Sequence, residues 1–213
     1  LTITDIDRAH LLFDRRQNTN FPNDFTITPT ATDVVAAQKD LRREIDPFPF
    51  IPKGSPEKRA ERFDELLNIP TFGVLKRLET LGAGTKLVIG LSGGLDSTLA
   101  FLIAVRTAKL LGKEPREVIE TLTMPAHASS ARTQSNALKL AAAFGIEGKE
   151  IPIAELAEGQ LAALQHTGEE DIAFENTHAR IRTTLLFNHA NMHRDIVLGT
   201  GDLSEIALGW STY

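Results

Sequence analysis

From Lys86 onward, short apolar runs alternate with amphipathic helical stretches, and this alternation restricts the fold more than any other feature of the chain. Leu87 to Leu91 precedes a helical stretch over Thr98 to Leu111. Val118 to Met124 precedes one over Ala131 to Phe144, and Glu150 to Ile153 precedes one reaching Leu164. A further helical stretch, Phe174 to Met192, leads into Ile196 to Leu198. Parallel strands cannot be joined by a tight turn, so each needs a crossover, and the crossover helices cover the sheet. The pattern predicts an α/β domain from residue 55 onward, a doubly wound, mostly parallel sheet with helices on both faces. No repeat of solenoid period competes with it.

The residues before it read differently. Leu1 to Ile6 alternates as one strand would, Arg15 to Thr30 is polar and loop-like, and Asp33 to Ile45 suits a short helix. Asp46 to Gly54 then holds Pro47, Pro49 and Pro52, which predicts a stiff, extended connector. It is either a plain linker or an arm whose Phe48 and Phe50 pack on a neighbouring surface, because exposed phenylalanines are poorly tolerated. Ser55-Pro56 is a helix start, an N-cap with proline at the first helical position. One helix is expected through Asn68 and a second from Pro70 to Leu81. The chain thus divides into an irregular stretch, 1–54, and a domain, 55–213.

Composition narrows the function classes. At 213 residues the chain holds one large domain, or one with an appendage, and can bury a sizeable core. Cysteine is absent, which removes disulfides, Cys-rich zinc sites and thiolate nucleophiles. The net charge of −5 argues against a nucleic-acid binder while leaving room for a local anion site. No apolar run has the length of a membrane span, and no secretory pattern opens the chain. A soluble intracellular enzyme or binding domain is the class that remains. The first residue is Leu1, not Met, so the chain is expected to begin inside a longer gene product.

The stretch that carries chemistry is Leu87-Val88-Ile89-Gly90-Leu91-Ser92-Gly93-Gly94-Leu95-Asp96-Ser97-Thr98. A buried strand runs through Ser-Gly-Gly straight into a helix, whose first amides are unpaired and carry partial positive charge, and this makes an anion cradle. Glycines let the backbone approach the ligand, and Ser92, Ser97 and Thr98 supply hydroxyls. Asp96 suits Mg²⁺ bridging phosphates better than it suits bare phosphate. No Gly-Lys-Ser/Thr follows, so the loop is not a Walker A, and the glycine spacing is wrong for the dinucleotide fingerprint.

Ser92-Gly93-Gly94-Leu95-Asp96-Ser97 resembles the pyrophosphate loop of the ATP-pyrophosphatase superfamily, which has a Rossmann-like, adenine-nucleotide-hydrolase-like fold. Two further blocks are similar to those of NAD synthetases, in particular the synthetase domain of the glutamine-dependent kind. They are Glu175-Asn176-x-x-Ala179-Arg180-x-Arg182 and Gly199-Thr200-Gly201-Asp202-Leu203-Ser204-Glu205-x-Ala207-Leu208-Gly209-Trp210. Met124-Pro125 and Arg132-Thr133-x-x-Asn136-Ala137 also fit. The resemblance runs from Asp46 to Tyr213, and residues 1–45 look like the tail of a preceding glutaminase domain.

The resemblance implies ATP-dependent amidation of deamido-NAD through an adenylate, releasing AMP and pyrophosphate. The family's glutaminase needs a cysteine that this chain lacks, so ammonia is expected from a domain outside it. A homodimer, a cytoplasmic setting and no nucleic-acid or membrane partner are also implied. The family continues beyond Tyr213, so the chain is expected to be C-terminally incomplete. ATP would meet Gly90, Leu91, Ser92, Gly93, Gly94, Leu95, Asp96 and Ser97, together with Thr200 at the end of the Ile196 to Leu198 strand. Asp96 and Glu205 would hold Mg²⁺, or Glu205 would touch deamido-NAD. Asn176 and Arg180, four apart on one helix face, would contact deamido-NAD, as would Trp210 and Tyr213. Thr123 to Gln134 would line the adenine pocket through Arg132.

Plainer roles compete with each: a first-turn charge for Asp96, a strand-end threonine, a solvated glutamate, a surface pair, a core tryptophan. Another adenylating synthetase and a non-catalytic nucleotide-binding module are the rival functions. His189 and His193 have half the spacing of a zinc site but no third ligand in sequence, and read as structural or surface residues. Gly82-Ala83-Gly84 reads as a loop and Glu169-Glu170-Asp171 as a solvated turn.

Overall fold

A computed structural model describes residues 7–17, 45–126, 131–209 and 211. They belong to two units divided after Lys53. In the first, helix α1 (Arg8–Gln17) begins where Asp7 Oδ1 accepts a hydrogen bond from the His10 amide at 3.0 Å. This helix takes in Arg15 to Gln17, which the sequence reading placed in a loop. Arg15 and Arg16 fall in its last turn, where cations favour the negative end of the helix dipole. The expected strand over 1–6, the rest of the loop and residues 33–44 of the expected helix lie outside the described residues.

The proline-rich segment corrects a second expectation, since it folds into a turn and is not extended. The Ile51 amide donates to the Phe48 carbonyl at 3.2 Å, the Phe48 amide donates to Asp46 Oδ1 at 2.9 Å, and Lys53 pairs with Asp46. Phe48 and Phe50 are both exposed, so neither packs as an arm among the described residues.

The second unit, Gly54–Tyr213, holds the sheet. Helix α2 (Pro56–Leu81) starts at Ser55, whose hydroxyl accepts from the Lys58 amide. It is one helix of 26 residues where two were expected, with Pro70 inside it. Proline forfeits one backbone bond, but the next residue, Thr71, donates its hydroxyl to the Leu67 carbonyl at 2.6 Å. Past Pro70, Thr71 is fully buried and Leu78 nearly so, while before it Asp64 and Asn68 accept from Arg106 of the helix packed alongside.

Strands β1 (Leu87–Gly90), β2 (Ile119–Thr123), β3 (Lys149–Glu150) and β4 (Ile196–Val197) form a parallel sheet in the order β3-β2-β1-β4. Helix α3 (Leu95–Leu110) links β1 towards β2 and starts three residues earlier than its apolar pattern suggested. A single turn, α4 (Pro115–Val118), takes Val118 out of the strand. Helix α5 (Ala131–Ala143) links β2 to β3, and α6 (Ala154–Ala163) and α7 (Ile172–His193) lead to β4. Asp171 caps α7, accepting from the Phe174 amide at 2.9 Å, and so is more than a solvated turn.

Alternate residues of a strand face opposite sides, and the core divides accordingly. Leu87 and Ile89 of β1 and Ile119 of β2 join Leu78 of α2, Phe101 of α3 and Ala137 of α5 in one cluster. Val88 and Leu122 face the other way, against Ile153, Ala157 of α6 and Ile181 and Ala190 of α7. The doubly wound arrangement is therefore present, with a central β1 buried on both faces.

On the α7 side, Glu120 of β2 accepts from His189 at 2.7 Å and pairs with Lys149 of β3. His193 stacks obliquely on His189, with ring centroids 4.6 Å apart. His189 is thus a structural residue. Burial on its own would raise the Glu120 carboxyl, but the hydrogen bonds and charges of Lys149 and His189 outweigh it and hold the group below the ordinary glutamate value. A depressed folded value contributes stability above the unfolded value that is lost as pH falls through the folded one. Glu120→Gln should therefore lower the urea midpoint at about pH 7, with the gap to the wild type closing towards about pH 3. A gap independent of pH would show that the ion cluster contributes no such stability.

Candidate active site

In an open α/β sheet, a crevice forms beyond the strand ends where successive connections depart to opposite faces. Here that point lies between β1, followed by α3 on one face, and β4, reached from α7 on the other. A cleft of about 740 Å³ opens there.

Its floor is held by strand-end hydrogen bonds. The Leu91 amide donates to the Leu122 carbonyl at 2.9 Å, and the buried Thr123 hydroxyl returns a bond to the Leu91 carbonyl at 3.1 Å. On the other edge the Leu198 amide donates to the Val88 carbonyl at 2.9 Å. These bonds fix where the chain leaves β1.

The Ser-Gly-Gly turn then folds on itself. Ser97, 4% exposed, donates its hydroxyl to the Gly94 carbonyl at 3.2 Å and accepts from the Ser92 amide at 3.3 Å. The two serine hydroxyls lie 3.0 Å apart, and the Gly94 amide donates to Ser92 Oγ at 3.2 Å. Ser97 thus shapes the turn as much as it presents a hydroxyl. Gly93 has φ +79°, a conformation L side chains rarely adopt. Gly94 caps α3 without a side-chain hydrogen bond, so the helix start keeps its anion-attracting character.

Of the residues singled out from sequence, Gly90, Leu91, Ser92, Gly94, Asp96 and Ser97 line the cleft. Thr200 and Glu205 line it from the β4 side. Gly93 and Leu95 do not, and Leu95 is 83% exposed. Glu205 stands in the first turn of α8 (Leu203–Leu208) and has a task the sequence reading missed. The Asp202 amide donates to Glu205 Oε2 and the Glu205 amide to Asp202 Oδ1, both at 3.0 Å, a reciprocal cap. The signal was in the sequence as Asp-x-x-Glu before an apolar pair.

Helix α7 forms the opposite wall through Ala179, Arg182, Thr183, Leu186 and Phe187. Asn176 and Arg180 are not brought to this wall; Arg180 is exposed and Asn176 half-buried. The residue missed is Arg182. It lies two positions from Arg180, about 200° further round the helix, so the two side chains leave α7 in nearly opposite directions. Phase was the available clue, since Arg182 shares its side of α7 with Ala179, Leu186 and the buried Ala190. Its Nε donates to the Met124 carbonyl at 3.2 Å, and burial pushes its guanidinium below the ordinary value. Thr123, Met124 and Pro125 line the cleft. The Arg132 side chain, Trp210 and Tyr213 lie outside the described residues.

Asp96 and Glu205 bring two carboxylates to one cleft from opposite edges. Among the described residues no group of three or more His, Asp or Glu side chains could hold a metal ion. Hard cations such as Mg²⁺ take one or two protein carboxylates and complete their shell with phosphate oxygens and water, so the donor set fits. Among the described residues no helix is long and apolar enough to cross a membrane.

The family model described as NAD synthase matches residues 70–213. A glutamine-dependent NAD(+) synthetase of Mycobacterium bovis is 43% identical over 195 residues, covering 89% of this chain and 28% of the relative. The chain thus spans less than a third of the length of that relative. The structure of a glutamine-dependent NAD+ synthetase from Acinetobacter baumannii, in complex with ADP, is 27% identical with a TM-score of 0.64, covering 71% of this chain and 28% of that one. An NH3-dependent NAD synthetase from Campylobacter jejuni is 27% identical with a TM-score of 0.60, covering 70% and 61%.

The loop geometry yields a paired test. Gly93→Ala forces a side chain into a left-handed conformation and should cost about 1–2 kcal/mol in urea unfolding. Gly94→Ala, at φ −81°, should cost less, its new Cβ having only Ser92 Oγ, at 3.3 Å, to displace. Equal costs would contradict the role given to Gly93.

Proposed function

The chain belongs to the NAD synthase family, and on that premise we propose that it amidates deamido-NAD to NAD at the expense of ATP. The observation that carries the reading is the joint presence, in one cleft, of an anion-binding loop and two carboxylates. A passive nucleotide binder has no use for the pair. A carboxylate oxygen of the nicotinate attacks the α-phosphorus of ATP, the bond to the β-phosphate breaks, and pyrophosphate leaves. Ammonia then attacks the acyl carbon of the adenylate, AMP departs, and the nitrogen loses a proton.

The residues do this by position and charge. The turn from Ser92 to Ser97, with the N-terminus of α3 behind it, holds the β- and γ-phosphates and then the pyrophosphate. Thr200, past the end of β4, contacts the same nucleotide. Asp96 and Glu205 hold Mg²⁺, which when bound offsets charge on the phosphates. Asn176 and Arg180, on α7 but outside the wall of the cleft, take the dinucleotide. Hydrogen bonds among the Ser92 and Ser97 hydroxyls and the Ser92 and Gly94 amides fix the shape of the turn.

Residues 55–213 serve as the synthetase domain and 1–54 as the tail and linker of a glutaminase domain in the same gene product, which supplies the ammonia. A homodimer in the cytoplasm completes the reading. The length of the mycobacterial relative supports the extra domain.

Incubation with Mg·ATP, ammonium and deamido-NAD should give NAD, AMP and pyrophosphate in equal amounts, each dependent on deamido-NAD. AMP formed with a different acceptor, and none with deamido-NAD, would transfer the chain to another adenylating activity. Asp96→Ala should leave the circular dichroism unchanged while lowering Mg²⁺-dependent turnover by about a hundredfold or more. Unchanged turnover would remove Asp96 from the metal site.

A further inference from the structure

Arg182 is the basic side chain among the described residues that line the cleft, where Asp96 and Glu205 are the acidic ones. Its surroundings differ from those of Arg62 and Arg106. Arg106 pairs with Asp64 at 2.7 Å and Arg62 pairs with Glu65. Arg182 is half-buried, its hydrogen bond goes to a neutral carbonyl, and no carboxylate lies within ion-pair distance among the described residues. A desolvated cation without a counter-charge is costly, and an arriving anion removes that cost. The bond from Nε to the Met124 carbonyl also fixes the guanidinium plane, leaving the terminal NH₂ groups for a ligand. A planar fork with two adjacent donors matches the oxygens of a phosphate.

We propose that Arg182 is an anion-binding residue of the cleft, taking a phosphate oxygen of the nucleotide seated on the Ser92 to Ser97 turn. The proposal rests on the nucleotide reading above and adds a residue that the motif blocks contain but leave without a task. The alternative is a tether that only keeps α7 and the end of β2 in place. A tether would shape the pocket for any adenine compound, whereas an anion-binding residue matters only when phosphates are present.

Calorimetric titration of the full chain with ATP and with adenosine separates the two. Arg182→Gln should weaken ATP by about tenfold or more and adenosine by less than about twofold. Arg182→Lys, which keeps the charge but loses the fork, should fall between Arg182→Gln and the wild type for ATP alone. Equal weakening of both ligands, or ATP affinity unchanged, would overturn the proposal. If Arg182→Gln does not fold, the same comparison in Arg182→Lys decides it: a loss confined to ATP supports the role, and an equal loss refutes it. A wild-type chain without affinity for ATP would overturn the nucleotide reading itself, a failure seen before any variant is compared.

Discussion

Strand β1 is hydrogen-bonded on both edges and packed on both faces, and the rest of the second unit takes its position from those four constraints. Parallel pairing with β2 sets the height at which Leu91 meets Leu122 and Thr123. Pairing with β4 sets where Gly199 to Gly201 emerge. Because the chain runs to α3 on one side of β1 and returns from α7 on the other, the strand cannot be covered at its carboxyl end. The crevice is a consequence of connectivity, and the glycine-rich turn sits at its edge, between the end of β1 and the start of α3.

The parts of this arrangement that were legible in the sequence are those set by local pattern. Alternating apolar runs and helices specified the sheet, and Ser-Gly-Gly between strand and helix specified the turn. Helix phase was the harder matter. The periodicity identified α7, but which of Arg180 and Arg182 would face the cleft depends on how the whole helix rolls against Val88 and Leu122, a tertiary decision. Pro70 misled in the opposite sense. A local rule ended the helix there, but tertiary contacts lie on both sides of the proline, Asp64 and Asn68 with Arg106 before it and the buried Thr71 and Leu78 after it. The ion cluster of Glu120, Lys149 and His189 joins residues 69 apart in the case of Glu120 and His189, a distance no local pattern reports.

The two ends of α7 serve different chemistry. Its middle, from Ala179 to Phe187, borders the cleft, while His189 near its C-terminus is fastened to Glu120 towards the opposite end of the sheet. A helix fixed at its base by a charged hydrogen bond and at mid-length by Ile181 presents Arg182 at a defined height over the strand ends. The position of a ligand-facing side chain is thereby set by contacts remote from any ligand.

Glu205 gives the reciprocal cap of α8 a consequence for affinity. A glutamate free to sample its rotamers loses about 1.5–2 kcal/mol of entropy when it is immobilised, and a ligand that orders it bears that loss. Here the Asp202 amide already holds one carboxylate oxygen, so most of the loss falls on folding. The side chain thus reaches the cleft already restricted, and a ligand that contacts it meets a group ordered by the fold and not by binding.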